Sequence, residues 1–240
     1  MSRSSRRRTA ARRDAKRAVN RPAAGIVQVT AGAARAAMDD HVFRLRAALA
    51  ALDTPDLVAF SERLWQITRV GGLILIAGNG GSAANAAHMA VDLSKSSLGR
   101  PPRAGAPRVR ALALSEAAGT LTAWANDDAY ERAFAEQVTT LAGAGDAVLL
   151  LSVSGHSPNI VAAAEAARET GAAVFALLGG DGGAVRAIAD HAIVVPSDDY
   201  QVVEDAHLAI NHMMTTYIRL ILGGRTPRVA APITPAARKR

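Results

Sequence analysis

The sequence predicts an α/β fold: a three-layer αβα sandwich around a five-stranded parallel sheet, preceded by N-terminal helices. Five short apolar runs, "GLILIAG", "VRALAL", "AVLLLSVSG", "AAVFALLGG" and "HAIVVPS", alternate with stretches of helical spacing. Uninterrupted apolar runs are what strands covered on both faces require. Two of the runs leave through turns rich in glycine and serine, "GNGGS" and "SVSGHSP", each followed by a helical stretch. Ligands of open parallel sheets bind at such strand ends, where helix N-termini present free N–H groups.

From about Thr30 to Leu52, alanines, leucines, Val42 and Phe43 recur at helical spacing. A second helix follows in "TPDLVAFSERLWQITRV", with Thr54 as its cap and Pro55 at its first position. The strands and their helices come next. The last helix is predicted over about Asp199–Leu222, where Val202, Val203, Ala206, Ile210, Met213, Met214 and Ile218 share a helical period before Gly223 and Gly224. Met213 and Met214 are read as core, His191 as structural at a strand start, and Asp181 in "GGDGG" as a turn residue.

The net charge of +7 suggests an acidic partner until the charges are placed along the chain. Residues 1–24 hold nine of the 28 basic residues and one acid, and residues 225–240 hold five and none. Between them stand 14 bases against 20 acids, so the basicity belongs to the ends. The first 24 residues are read as a disordered basic arm, short of the apolar residues needed to offset ordering. It is the segment through which nucleic acid could be met; otherwise none is expected. Residues 225–240 are read as a flexible tail and residues 25–224 as the folded domain. No run of 18 apolar residues suggests a membrane span. With no cysteine, disulfides and thiolate chemistry are excluded, and a cytoplasmic setting is expected.

Within the first turn, Gly78, Gly80 and Gly81 allow tight backbone and Ser82 can donate to an anion. The second turn sets Ser152, Ser154 and Ser157 around Gly155, with Pro158 opening the helix, which makes a phosphate cradle without lysine. His88 and Asp92 share a helix face at i, i+4. Glu204 and His212 stand eight residues, about two turns, apart on the last helix. If these faces meet, two imidazoles and two carboxylates suit a zinc-like ion or acid–base work.

The stretches "GNGGSAANAAHMAVDL", "WANDDAYERAFAEQV", "GDAVLLLSVSGHSPNIVAAAEAARETGA", "LLGGDGG" and "DAHLAINHMM" together resemble the phosphoheptose isomerases of the sugar isomerase (SIS) domain superfamily, a flavodoxin-like fold, over roughly residues 30–222. The resemblance implies a homotetramer with shared active sites. It would convert sedoheptulose 7-phosphate to D-glycero-D-manno-heptose 7-phosphate through an enediol. It puts the phosphate on Ser152, Ser154 and Ser157, and places Asn79, Gly80, Ser82, Asp127 and Glu204 at the substrate. The family's base falls on Asp92 and its acid on His212. Some members bind zinc, one per subunit, at positions matching His88, Asp92, Glu204 and His212. His207 also matches a family histidine, with packing or support of the site as its reading.

The chain departs from the family pattern close to the substrate. Asp92 replaces glutamate, Glu204 glutamine, Val153 threonine and His156 asparagine; Ser96 stands where the family has arginine, beside Lys95. An arm shorter by one methylene matters where displacements near 1 Å cost about a hundredfold in rate. Three alternatives therefore stand beside the first reading: an isomerase of another long ulose phosphate, such as an eight-carbon one; a phosphosugar sensor; and a regulator that binds the replication initiator.

Overall fold

The computed structural model describes residues 27–98 and 104–223. The basic arm 1–24 and the tail 225–240 lie outside the described residues. The chain divides into two compact units, Met1–His41 and Val42–Arg240. In the first, Val27–Thr30 leads into α1 (Ala31–Ala50), of which the residues to His41 belong to this unit and the rest to the second; its start is capped where Thr30 Oγ1 accepts the Ala33 N–H at 3.2 Å. Arg35 and Asp39 pair one turn apart on its exposed surface.

In the second unit, α2 (Thr54–Arg69) begins one residue earlier than the sequence suggested. Asp53 holds the cap position with extended backbone, and Thr54 and Pro55 form the first helical turn. The remaining elements are β1 (Leu73–Gly78), α3 (Gly81–Ser94), β2 (Arg110–Ala113), α4 (Ala118–Asp127), α5 (Arg132–Leu141), β3 (Ala147–Ser152), α6 (Pro158–Thr170), β4 (Ala173–Gly179), α7 (Gly183–Ile188), β5 (His191–Val195) and α8 (Tyr200–Ile221).

All four strand pairings are parallel, and the sheet order is β2-β1-β3-β4-β5. Alternation along each strand sorts the apolar runs into two cores. Ile74, Ile76, Leu149, Leu151, Phe175 and Leu177 face α2, α3 and α8 through Leu64, Met89, Ile210 and Met214; Met213, expected in the core, is 45% exposed, because the next position on a helix turns about 100° away from Met214. Leu75, Val148, Leu150, Val174 and Leu178 face α5, α6 and α7 through Phe134, Ile160 and Val185. This is the three-layer sandwich predicted from composition and spacing.

The strand order reverses direction between β1 and β3, because α3 leaves β1 toward one face and α6 leaves β3 toward the other. A crevice opens at that switch point. Two asparagines tie α3 to α8 beside it: Asn85 Nδ2 donates to the Glu204 carbonyl at 2.8 Å, and Asn211 Nδ2 donates to Asp92 Oδ2 at 2.9 Å. The two ties stand seven residues apart on each helix, so α3 and α8 run parallel and in register, two turns between rungs.

Candidate functional site

The crevice is a cleft of about 320 Å³ lined by Asn79, Gly80, Gly81, Ser82, Leu151, Ser152, Val153, Ser154, Ser157, Tyr200 and Glu204. Its first wall is the turn after β1. Gly80 has φ +55°, which glycine adopts without strain, and Ser82 is 3% exposed with α3 starting beneath it. A side-chain carbon at Gly81 would overlap the Glu204 carboxylate, so glycine lets α8 bring that acid against the start of α3.

The second wall is the serine turn. Ser152 Oγ accepts the Gly155 N–H at 3.0 Å, and Ser154 Oγ accepts the His156 N–H at 3.2 Å. Ser157 takes the cap position of α6 through its carbonyl, with its hydroxyl making no cap bond. Gly155, at φ +62°, packs so closely on the Gly182 carbonyl that a side chain would overlap it, and the Val185 N–H donates to the Gly155 carbonyl at 3.1 Å. The "GGDGG" motif therefore buttresses the serine turn, with Asp181 Oδ1 accepting the Gly183 N–H.

Asn79 is held on both sides. It exchanges amide hydrogen bonds with Asn159 at 2.8 and 2.9 Å, and its Oδ1 accepts from Tyr130 Oη at 2.9 Å. This fills the Asn79 carbonyl and leaves one of its N–H groups for a ligand. Sequence reasoning missed Tyr130 and Asn159, although both lie within the quoted stretches. Asp127 ends α4, exposed, with Oδ1 accepting from Asn126, and is not among the residues lining the cleft.

Farther along α3, His88 and Asp92 meet His212 of α8. His88 Nε2 and His212 Nε2 lie 3.3 Å apart, and they stand 3.3 and 3.4 Å from Asp92 Oδ2. The Asp92 side chain is 13% exposed and the two histidines 47% and 55%, so the group opens to solvent on its imidazole side. Ligands of a tetrahedral ion with bonds of about 2.0–2.1 Å stand about 3.3–3.4 Å from one another. The nearly equilateral triangle of donor atoms fits such an ion.

The structure does not bring Glu204 into this group. Eight residues of helix span about 12 Å, and the Glu204 carboxylate turns toward Gly81, at the other end of α3. His207, between Glu204 and His212, is fully buried, with Nε2 3.3 Å from the Leu178 carbonyl and Nδ1 without a protein partner. Burial pushes its pKa down to about 4, against a small opposing effect of that carbonyl. Asp199 caps α8, accepting the Gln201 and Val202 N–H groups and pairing with Arg44; the Val202 N–H, then Arg44, hold its carboxyl below the usual range. His191 is pushed down by burial and by Arg63, and its ring packs against Phe175 with centroids 4.9 Å apart.

A switch-point cleft walled by two glycine- and serine-bearing turns, beside a helix bearing a histidine and a carboxylate, marks an α/β domain with its site at the carboxyl ends of the strands. A family profile described as the SIS domain matches residues 39–179. The phosphoheptose isomerase of Trichlorobacter lovleyi is 39% identical over 188 residues, covering 78% of this chain and 92% of its own. Among solved structures, phosphoheptose isomerase GmhA from Neisseria gonorrhoeae is 31% identical with a TM-score of 0.67, covering 77% of this chain and 96% of its own. A phosphoheptose isomerase from Francisella tularensis aligns with a TM-score of 0.72 and 28% identity, over 80% of this chain and all of its own. The chain belongs to the phosphoheptose isomerase family of SIS-domain proteins. Among the described residues, no helix is long and apolar enough to cross a membrane.

Proposed function

We propose that this chain is an aldose–ketose isomerase that converts sedoheptulose 7-phosphate to D-glycero-D-manno-heptose 7-phosphate. The observation that carries the proposal is that α3 starts at the anion cleft and bears His88 and Asp92 farther along the same rod, where His212 joins them. A phosphate held by Ser82, Ser152, Ser154 and Ser157, with Asn79 and Gly80 beside it, would direct the sugar carbons toward that group.

Asp92 removes a proton from C1 of the ketose while His212 supplies a proton to the C2 carbonyl oxygen, giving the 1,2-enediol. Return of a proton to C2 and loss of the O1 proton give the aldose, with no change in atoms. Glu204 lies on the phosphate side and forms part of the substrate wall. His88, Asp92 and His212 would hold a zinc ion, and such an ion would polarise sugar oxygens as a Lewis acid. The assembly proposed is a cytoplasmic homotetramer, in keeping with the exposed Val42 and Phe43 on α1.

The test is incubation of the protein with sedoheptulose 7-phosphate, with and without zinc, followed at C1 and C2 by NMR. His212→Ala is the control. An aldose heptose 7-phosphate that forms only when His212 is present supports the isomerase. Saturable binding without conversion would overturn the catalytic reading.

A further inference from the structure

We infer that Asn211 is a positioning residue for Asp92, holding its short carboxylate in the triangle with His88 and His212. The inference rests on the reading of that triangle given above. Asn211 is 1% exposed in the interior of α8, where asparagine is a poor helix former and a buried amide needs partners. Its Nδ2 donates to Asp92 Oδ2 at 2.9 Å, while its Oδ1 faces Thr215 Oγ1 at 3.5 Å. The orientation of the amide follows from chemistry, since only the NH₂ end can face an anionic oxygen.

Asp92 Oδ2 is the atom that faces both imidazoles, at 3.3 and 3.4 Å. The oxygen bound by Asn211 is therefore the one that would act on the sugar or hold an ion. Asn85 provides an internal comparison on the neighbouring rung. It donates to a backbone carbonyl, and a tie between helices needs no more. Asn211 instead directs its donor to a titratable side chain. The residue sits next to His212 in sequence, so one turn of α8 supplies both an imidazole of the triangle and the clamp on its carboxylate. An aspartate with one methylene fewer than glutamate must have its oxygen placed by the backbone and by such a clamp.

The experiment uses the full chain with Co²⁺ as a spectroscopic probe and Zn²⁺ in competition with a chromophoric chelator, alongside kcat and KM. Asn211→Ala should weaken ion binding about 10- to 100-fold, the usual effect of losing a partner of a ligand, and should alter the Co²⁺ visible bands. It should lower kcat while leaving KM close to wild type, because Asn211 does not line the cleft. The double variant Asp92→Glu/Asn211→Ala should recover much of the ion affinity lost in Asn211→Ala, since the longer arm can reach without the clamp. Unchanged Co²⁺ bands and affinity in a folded Asn211→Ala protein would overturn the positioning role and leave the isomerase reading intact. Failure of the double variant to recover any affinity would likewise overturn it. A wild-type chain that binds neither ion and isomerises nothing would overturn both.

Discussion

The carboxylate of Glu204, from α8, fills the space that a side-chain carbon on Gly81, at the start of α3, would occupy. Because the carboxylate is the far end of a flexible side chain, it can swing aside. Gly81→Ala is therefore expected to leave stability within about 1 kcal/mol, as alanine also favours the helix, while KM for the phosphosugar changes. Thermal unfolding and steady-state kinetics check this. A loss above about 3 kcal/mol, the scale of overpacking, would show that Glu204 is locked in place.

Glu204 also brings a carboxyl group to the cleft where the serines are proposed to hold a phosphate. Like charges disfavour one another more strongly where water is partly excluded. Glu204→Gln should lower KM several-fold and keep kcat within about threefold, whereas Asp92→Asn should abolish turnover. Loss of turnover in Glu204→Gln with activity kept in Asp92→Asn would assign the base to Glu204 instead.

The serine turn separates binding from stability. The Ser157 hydroxyl makes no cap bond, so Ser157→Ala should raise KM by about tenfold, the loss of one hydrogen bond to a charged group, at an unchanged melting temperature. Gly155→Ala should destabilise the fold by several kcal/mol, through its positive φ and its overlap with the Gly182 carbonyl. Chemical denaturation of the two variants would show the contrast.

His207 gives the fold an acid sensitivity. Its pKa falls from 6.5 to about 4 on burial, so the unfolded chain binds the proton more readily. The stabilising effect of keeping it neutral is complete above pH 6.5 and is lost as pH falls toward 4. The gap amounts to about 3 kcal/mol. In His207→Gln, urea midpoints measured between pH 7 and pH 4.5 should fall less steeply than in wild type; equal slopes would place the acid sensitivity elsewhere.

The sheet and both glycine- and serine-bearing turns were legible from residue order, because apolar continuity and glycine with serine before a helix are local signals. The i, i+4 pair His88 and Asp92 was legible for the same reason. Glu204 was grouped with them through its two-turn spacing from His212 and through resemblance, but helical rise carries it toward the cleft. Asn211, Asn159 and Tyr130 escaped notice because their partners are 119, 80 and 51 residues distant, and nothing in a buried asparagine or a turn tyrosine names a partner so far along the chain. The register of α3 with α8 is likewise a property of packing that neither helix announces alone.

That register makes α3 a molecular ruler. In the proposed reaction its start would grip one end of the substrate and its middle would carry the reactive groups, and six residues from Ser82 to His88 amount to about 9 Å of nearly inextensible rod. Sugar length would thus be measured against a helix. A chain one carbon too short or too long would present the wrong carbon to Asp92, however well its phosphate is held.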